Sequence, residues 1–350
     1  MSFSTALYKS GNQLSLYSLL IWRLAQSAVW FVGAAILFAL FFLPSVGLLV
    51  FWNILIPVAP VLFVVAVGVW RNVCPLATTH LLPRHFGLSK RKKLSVRQLG
   101  LLNLAGVVLL YTIVPLRHAL FNQNGLATGL LILAMAITGI TLGYFYEWKS
   151  AWCSGLCPVH PVEKLYGGNI LLSLPNAHCS ECRNCVIPCP DSTPNISPAS
   201  AKKTFAQQLS GLFIIGGLPG FIWGWFHVPD QSTSTINGLI GTYEIPLLGF
   251  AVSFIVYAVL SSLIEVKHER KLISIFAAMG VSCYYWFRIP ALFGFGKFGE
   301  DGLLINLNNI LPAWSMTAIT IATTLFFFYW LVMRKPNNQS WVIRPRFAHH

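Results

Sequence analysis

The chain has 350 residues, of which 55% are hydrophobic and only 10% charged, and its mean hydropathy is +0.66. Soluble globular proteins carry about 25% charged residues. A chain this poor in charge cannot cover a water-facing surface, which excludes an ordinary soluble enzyme and a disordered protein. The net charge of +14 does not indicate nucleic acid, because no basic, aromatic-interleaved stretch stands clear of the apolar runs. Basic residues flanking membrane helices account for it.

The first residues are mixed in character and run into a full-length apolar span, so no cleavable signal is read there. Apolar runs long enough to cross a ~30 Å hydrocarbon core occupy 24–43, 46–69, 98–117, 126–146, 207–226, 245–264, 271–290 and 312–333. They are continuous and do not alternate, which argues against a transmembrane β-barrel. The chain reads as an all-α polytopic membrane protein of about eight transmembrane helices. A tight hairpin is predicted around Pro44 to Gly47, with kinks at Pro57 and Pro60. The stretch 70–97, with His80, His85 and the Lys90 to Lys93 cluster, reads as a solvated juxtamembrane loop meeting anionic lipid heads. The weakest span is 271–290, which contains Cys283, Tyr284, Tyr285, Trp286 and Arg288; a six-span count with two interfacial segments is the alternative. Three regions follow: helices 1–4 in 1–146, a cytoplasmic segment at 147–206, and helices 5–8 with a basic tail in 207–350.

With eight spans, 21 of the 24 Lys and Arg residues fall on one side and only Arg117, Arg288 and Lys297 on the other. The positive-inside rule then places both termini, and every cysteine except Cys283, in the cytoplasm of a bacterial-type inner membrane. Dropping one span would put the basic tail outside.

Cys179-Ser-Glu-Cys182-Arg-Asn-Cys185-Val-Ile-Pro-Cys189-Pro190 reads C-x2-C-x2-C-x3-C-P, the bacterial ferredoxin run. Cysteines at two-residue gaps let the backbone wrap one [4Fe–4S] cubane while loop amides point at its sulfurs. A zinc knuckle would pair two C-x2-C arms over a longer interval. Cys179, Cys182, Cys185 and Cys189 are therefore assigned to a 4Fe–4S cluster in a small cytoplasmic ferredoxin-like loop. Cys153-Ser-Gly-Leu-Cys157-Pro158 follows the fourth span and Trp70-Arg-Asn-Val-Cys74-Pro75 the second, an internal repeat with Trp70 where Cys153 stands. Two assignments stay open. Cys189 closes its own cluster, or Cys74, Cys153, Cys157 and Cys189 form a second site, with His160 or His178 completing the first. Otherwise the Cys-Pro motifs simply end helices.

These motifs resemble the membrane ferredoxin family typified by the NapH subunit of periplasmic nitrate reductase systems, and the membrane parts of the NosR and CcoG proteins. The resemblance covers roughly residues 46–200. It departs at Trp70 and in having one ferredoxin run where the family commonly has two. It implies electron transfer at a membrane, between a quinol or cytosolic donor and a partner redox protein such as a ferredoxin-like donor or a reductase complex. The alternative it implies is an assembly or maturation factor, a metal reductase or thiol-handling accessory for a metalloenzyme. An electron carrier or oxidoreductase subunit fits better than a stand-alone enzyme.

His118 and His227 sit at the outer ends of the third and fifth spans, where two histidines at matching depth could ligate a haem or line a quinone site. No C-x-x-C-H motif supports haem, and interfacial histidines also snorkel without a ligand. Cys283 reads as a buried inert thiol. No phosphate loop, Ser/His/Asp order or H-E-x-x-H occurs, so no catalytic residue is assigned.

Overall fold

The computed structural model describes residues 10–11, 14–146, 151–178, 204–231, 236–335 and 341–345. Eight helices are long and apolar enough to cross a membrane: α1 (Leu16–Phe42), α2 (Pro44–His85), α3 (Val96–Phe121), α4 (Gly125–Phe145), α5 (Phe205–Trp225), α6 (Gly238–Leu263), α7 (Glu269–Leu292) and α8 (Ala313–Met333). Each matches one of the expected apolar runs to within a residue or overlaps it fully. Several begin on polar caps that satisfy the orphan amides of a first turn. Ser15 accepts from Ser18 N, Asn124 from Ala127 N and Thr204 from Gln207 N. Ser95 and Gln98 form a reciprocal capping box at the start of α3.

Apolar side chains such as Phe31, Phe38, Leu130, Ile137, Leu248, Val252 and Leu325 remain exposed on the bundle surface, the composition a lipid-facing surface requires. The larger of two interior clusters among the described residues draws on α2 (Phe63, Val64, Val67), α5 (Ile214, Ile215, Leu218), α7 (Phe276, Ala277, Val281) and α8 (Phe327, Leu331). The weak hydropathy of 271–290 has a simple cause: its polar residues Ser282, Tyr285 and Arg288 are buried inside the bundle. Helices α5 and α6 cross where Gly220 meets Gly249, a contact that a Cβ on either residue would block.

Two expectations need correction. Pro57 and Pro60 are not where α2 loses helical torsions: within Ile56–Val73 these occur at Ala66 (φ −149°, ψ 55°), beyond Pro60. Near the prolines the ladder is opened by a side chain instead. The Tyr285 hydroxyl donates to Pro57 O (2.6 Å) and accepts from Val61 N (3.0 Å), two groups an unbroken helix would join directly. Second, residues 75–85 are not a solvated loop. They form the last stretch of α2, a helix over Pro75–His85 set off by the turn at Cys74, packed on α4. His80 is buried and its Nδ1 lies 2.7 Å from Gly139 O. Gly143 leaves the room that the His80 carbonyl fills.

At one end of the bundle three short strands, β1 (Ser10–Gly11), β2 (Leu174–Pro175) and β3 (Val342–Pro345), form a parallel sheet in the order β1-β3-β2. Ser10 registers with Arg344 and Leu174 with Val342. The segment leading to Cys179 is thus held beside stretches from near both chain ends. The C-terminal region is more than a basic tail: Trp341 is fully buried and its Nε1 donates to Gly167 O at 3.0 Å.

Tyr285→Phe removes the hydroxyl bridge and strands two backbone groups in an apolar interior. The expected loss is about 1–3 kcal/mol, read as a lower Tm in detergent. An unchanged Tm would mean that α2 closes its own ladder there.

Candidate functional site

The two Cys-Pro motifs fold alike. Cys74 has φ −53° and ψ 122°, and Cys157 has φ −61° and ψ 119°. A residue before proline is driven out of the helical basin, so each cysteine ends a helical stretch and turns the chain. Cys74 N donates to Trp70 O (2.9 Å) and Cys157 N to Trp152 O (2.8 Å). The second turn leaves a π-helical segment, Trp152–Leu156, which carries Cys153. Cys74, Cys153 and Cys157 meet in one apolar cluster with Ala77 and Trp152, bordered by Met135 and Leu142 of α4. Trp70, at the position equivalent to Cys153, packs edge-on against Phe63 with centroids 5.5 Å apart.

Beside this cluster lies a buried charged triad. Arg71 Nη1 donates to Glu163 Oε2 at 2.9 Å, and both side chains are nearly inaccessible. The same nitrogen reaches Cys153 O at 3.3 Å, which ties the first repeat to the second. His160 Nδ1 lies 3.1 Å from Glu163 Oε2. Arg71 Nη1 also lies 3.2 Å from this Nδ1; in the tautomer that donates Nδ1–H to the carboxylate, Nε2 carries only a lone pair. That buried nitrogen has no hydrogen-bond partner among the described residues. A carboxylate-oriented imidazole with a free Nε2 is the arrangement that presents a histidine to a metal. The triad stands on a short helix, His160–Tyr166, which follows the second Cys-Pro turn.

Electrostatics follow from burial. Burial pushes the Cys157 thiol up to about 12, helped by Glu163 and Cys74 and opposed by the backbone N–H groups of Val159 and His160. It draws His160 down to about 4, against the hydrogen bond to Glu163. For Glu163, burial works to raise the carboxyl, but Arg71 and His160 outweigh it and hold it below its ordinary value.

A polar clasp leads from this cluster to the ferredoxin run. Asn72, two residues before Cys74, donates Nδ2 to Pro175 O (3.2 Å) and accepts from Ala177 N at Oδ1 (3.0 Å). His178 Nε2 lies 3.1 Å from Asn72 O, which also accepts from Gln26 Nε2 at 3.0 Å. His178, fully buried, is the residue before Cys179. Cys179, Cys182, Cys185 and Cys189 lie outside the described residues, as does the Pro188 to Pro198 segment. Among the described residues, no three His, Cys, Asp or Glu side chains converge as metal ligands would.

His118 and His227 have separate partners. His118 Nδ1 lies 2.6 Å from Asp230 Oδ1 and Nε2 lies 3.0 Å from Trp225 O, so neither nitrogen is free for a haem iron. His227 Nδ1 lies 2.7 Å from Trp223 O, and its ring packs on Trp223 and Phe287. Cys283 is a free thiol on α7. Sequence reasoning missed Gln26, Arg71, Asn72, Glu163 and Trp341 as parts of the site. Gln26, a polar residue inside an apolar run, was a usable signal; Arg71 reads simply as one more flanking cation. No family model matches the chain, and no curated protein or solved structure matches it either.

Arg71→Met and Glu163→Gln each leave one buried charge unpaired, with an expected cost of about 3–5 kcal/mol. The double variant removes both charges and should recover most of the loss in detergent unfolding; a double variant no better than the singles would contradict the pairing. The pH dependence has a definite sign. The folded chain keeps His160 neutral down to about 4, while an unfolded chain protonates it near 6.5. Stability therefore falls as pH drops through that window, and His160→Gln should flatten the fall.

Proposed function

We propose that the chain is an integral-membrane iron–sulfur electron-transfer protein. It passes electrons between a quinol or cytosolic donor and a partner redox protein, as the resemblance to NapH-type proteins implies. The observation that carries the reading is the polar clasp: the residue preceding Cys179 is anchored to Asn72, beside a cluster that gathers Cys74, Cys153 and Cys157. Cysteines far apart in sequence thus share one end of the bundle with His178, the residue before the C-x2-C-x2-C-x3-C-P run.

The donor set fits a [4Fe–4S] cluster held by Cys179, Cys182, Cys185 and Cys189. When bound, the cluster supplies one-electron transfer. The chain's own residues do the rest. The Asn72, Gln26 and Asn176 hydrogen bonds fix where the run starts. Arg183, Lys202 and Lys203 set a positive potential that favours a reduced, more negative centre and attracts an acidic soluble donor. If Cys74, Cys153 and Cys157 serve a second site with Cys189, His160, with its unpartnered buried Nε2, or His178 would complete the first. A role for Cys157 as a free nucleophile fits less well, because burial keeps its thiol protonated.

The orientation belongs to the same proposal: cysteine end and both termini cytoplasmic, in a bacterial-type inner membrane. Of the three basic residues at the other end, Arg117 and Arg288 are buried, so the contrast in exposed positive charge is steeper than the sequence count suggests.

Redox titration followed by electron paramagnetic resonance should give a reversible one-electron signal from anaerobically purified protein. The signal should disappear in Cys182→Ser. Absence of any reversible signal in the wild-type chain would overturn the proposal.

A further inference from the structure

At the end of the bundle opposite the cysteines lies a cavity of about 400 Å³. It is walled by the start of α2 (Trp52, Asn53), the π-helical end of α3 (Arg117, His118), and Arg288 near the end of α7. That volume suits a small organic molecule.

Its charge arrangement is unusual. Arg117 and Arg288 are only 6% and 4% exposed, and neither forms an ion pair among the described residues. Arg117 donates Nε to Asn122 Oδ1 at 3.1 Å, and its guanidinium lies over the rings of Trp52 (4.0 Å) and Trp225 (4.7 Å). Those rings engage the π-face of the guanidinium. Its terminal nitrogens have no hydrogen-bond partner among the described residues. Arg288 is fixed beside it: Nη2 donates to Trp52 O at 2.8 Å and to Asn53 Oδ1 at 2.7 Å. The nearby carboxylate of Asp230 is already committed to His118 (2.6 Å) and Asn122 (2.8 and 3.1 Å). Asp301, which also lines the cavity, accepts from Asp230 N at 2.9 Å.

A buried guanidinium with no direct ion pair is costly, more so in a chain surrounded by lipid. Asp230, Glu300 and Asp301 also line the cavity, but none forms an ion pair with either arginine among the described residues; an incoming oxyanion would supply that direct pair and the in-plane acceptors that an arginine fork is shaped to bind. A neutral ligand such as a quinol would supply acceptors but no charge. We propose that this cavity is a binding site for an oxyanion group, carried by a small organic acid or by an anionic lipid headgroup, with Arg117 and Arg288 as its cationic seat. Phe226 and Phe287, also in the lining, would cover the apolar part of the ligand.

The test uses the full chain in nanodiscs of neutral phosphatidylcholine, titrated with benzoate or inorganic phosphate against a chloride control of equal ionic strength. A saturable rise in Tm is expected for the wild-type chain, absent in Arg117→Gln. If the lipid is the source, nanodiscs containing phosphatidylglycerol raise the Tm without added anion, and the added anions then do nothing further. Arg117→Lys, which keeps the charge but loses the fork, should show a weakened shift. It also serves if Arg117→Gln fails to fold. No anion-specific or lipid-specific rise in the wild-type chain, or an equal rise in the Arg117 variants, would overturn the proposal.

Discussion

The cysteine end of this protein depends on one buried ion pair, Arg71 with Glu163. Burying two charges in an apolar bundle is tolerable only when they meet each other and find further hydrogen bonds. Arg71 belongs to the last turn before the first Cys-Pro turn, and Glu163 to the short helix after the second. Their pairing at 2.9 Å forces the two repeats together. Once they are together, Cys74, Cys153 and Cys157 share a cluster, and the neighbouring Asn72 is placed to hold the chain that runs into Cys179. The tail adds a second fastening, because Trp341 hydrogen-bonds to Gly167 just beyond the helix that carries Glu163.

The two ends of the bundle solve the problem of buried charge differently. At the cysteine end, cation, anion and imidazole satisfy one another inside the protein. At the other end, Asp230 is taken by His118 and Asn122, and among the described residues neither Arg117 nor Arg288 forms an ion pair. Between these ends the helices are almost free of charge, so each polar group has a visible consequence. The Tyr285 hydroxyl inserted between Pro57 and Val61 is the clearest example: one side chain reopens a helix and ties α7 to α2.

The eight spans were legible in the sequence because hydropathy over a membrane's thickness is encoded directly in consecutive residues. The Cys-Pro repeat was legible as well, since the restriction that proline places on its predecessor acts locally. The helix at 75–85 was not. Its residues are of mixed polarity, and it is buried by packing on glycines of α4, which is long-range information. The kink at Ala66 escaped for a similar reason: torsions there answer to tertiary contacts and not to the nearby prolines. Arg71 could be counted as a flanking cation but not paired, because Glu163 is 92 positions away. His118 and His227 shared a predicted depth, yet each settled with partners of its own, and the arginines beside His118 turned out to carry more chemical interest than the histidine pair.

The assignment of the ferredoxin run is tested most directly by iron and acid-labile sulfide content on anaerobically purified protein. The account predicts at least about four irons per chain with matching sulfide, and a rise to about eight if Cys74, Cys153 and Cys157 complete a second centre. A chain that carries no iron, or zinc in its place, would contradict it.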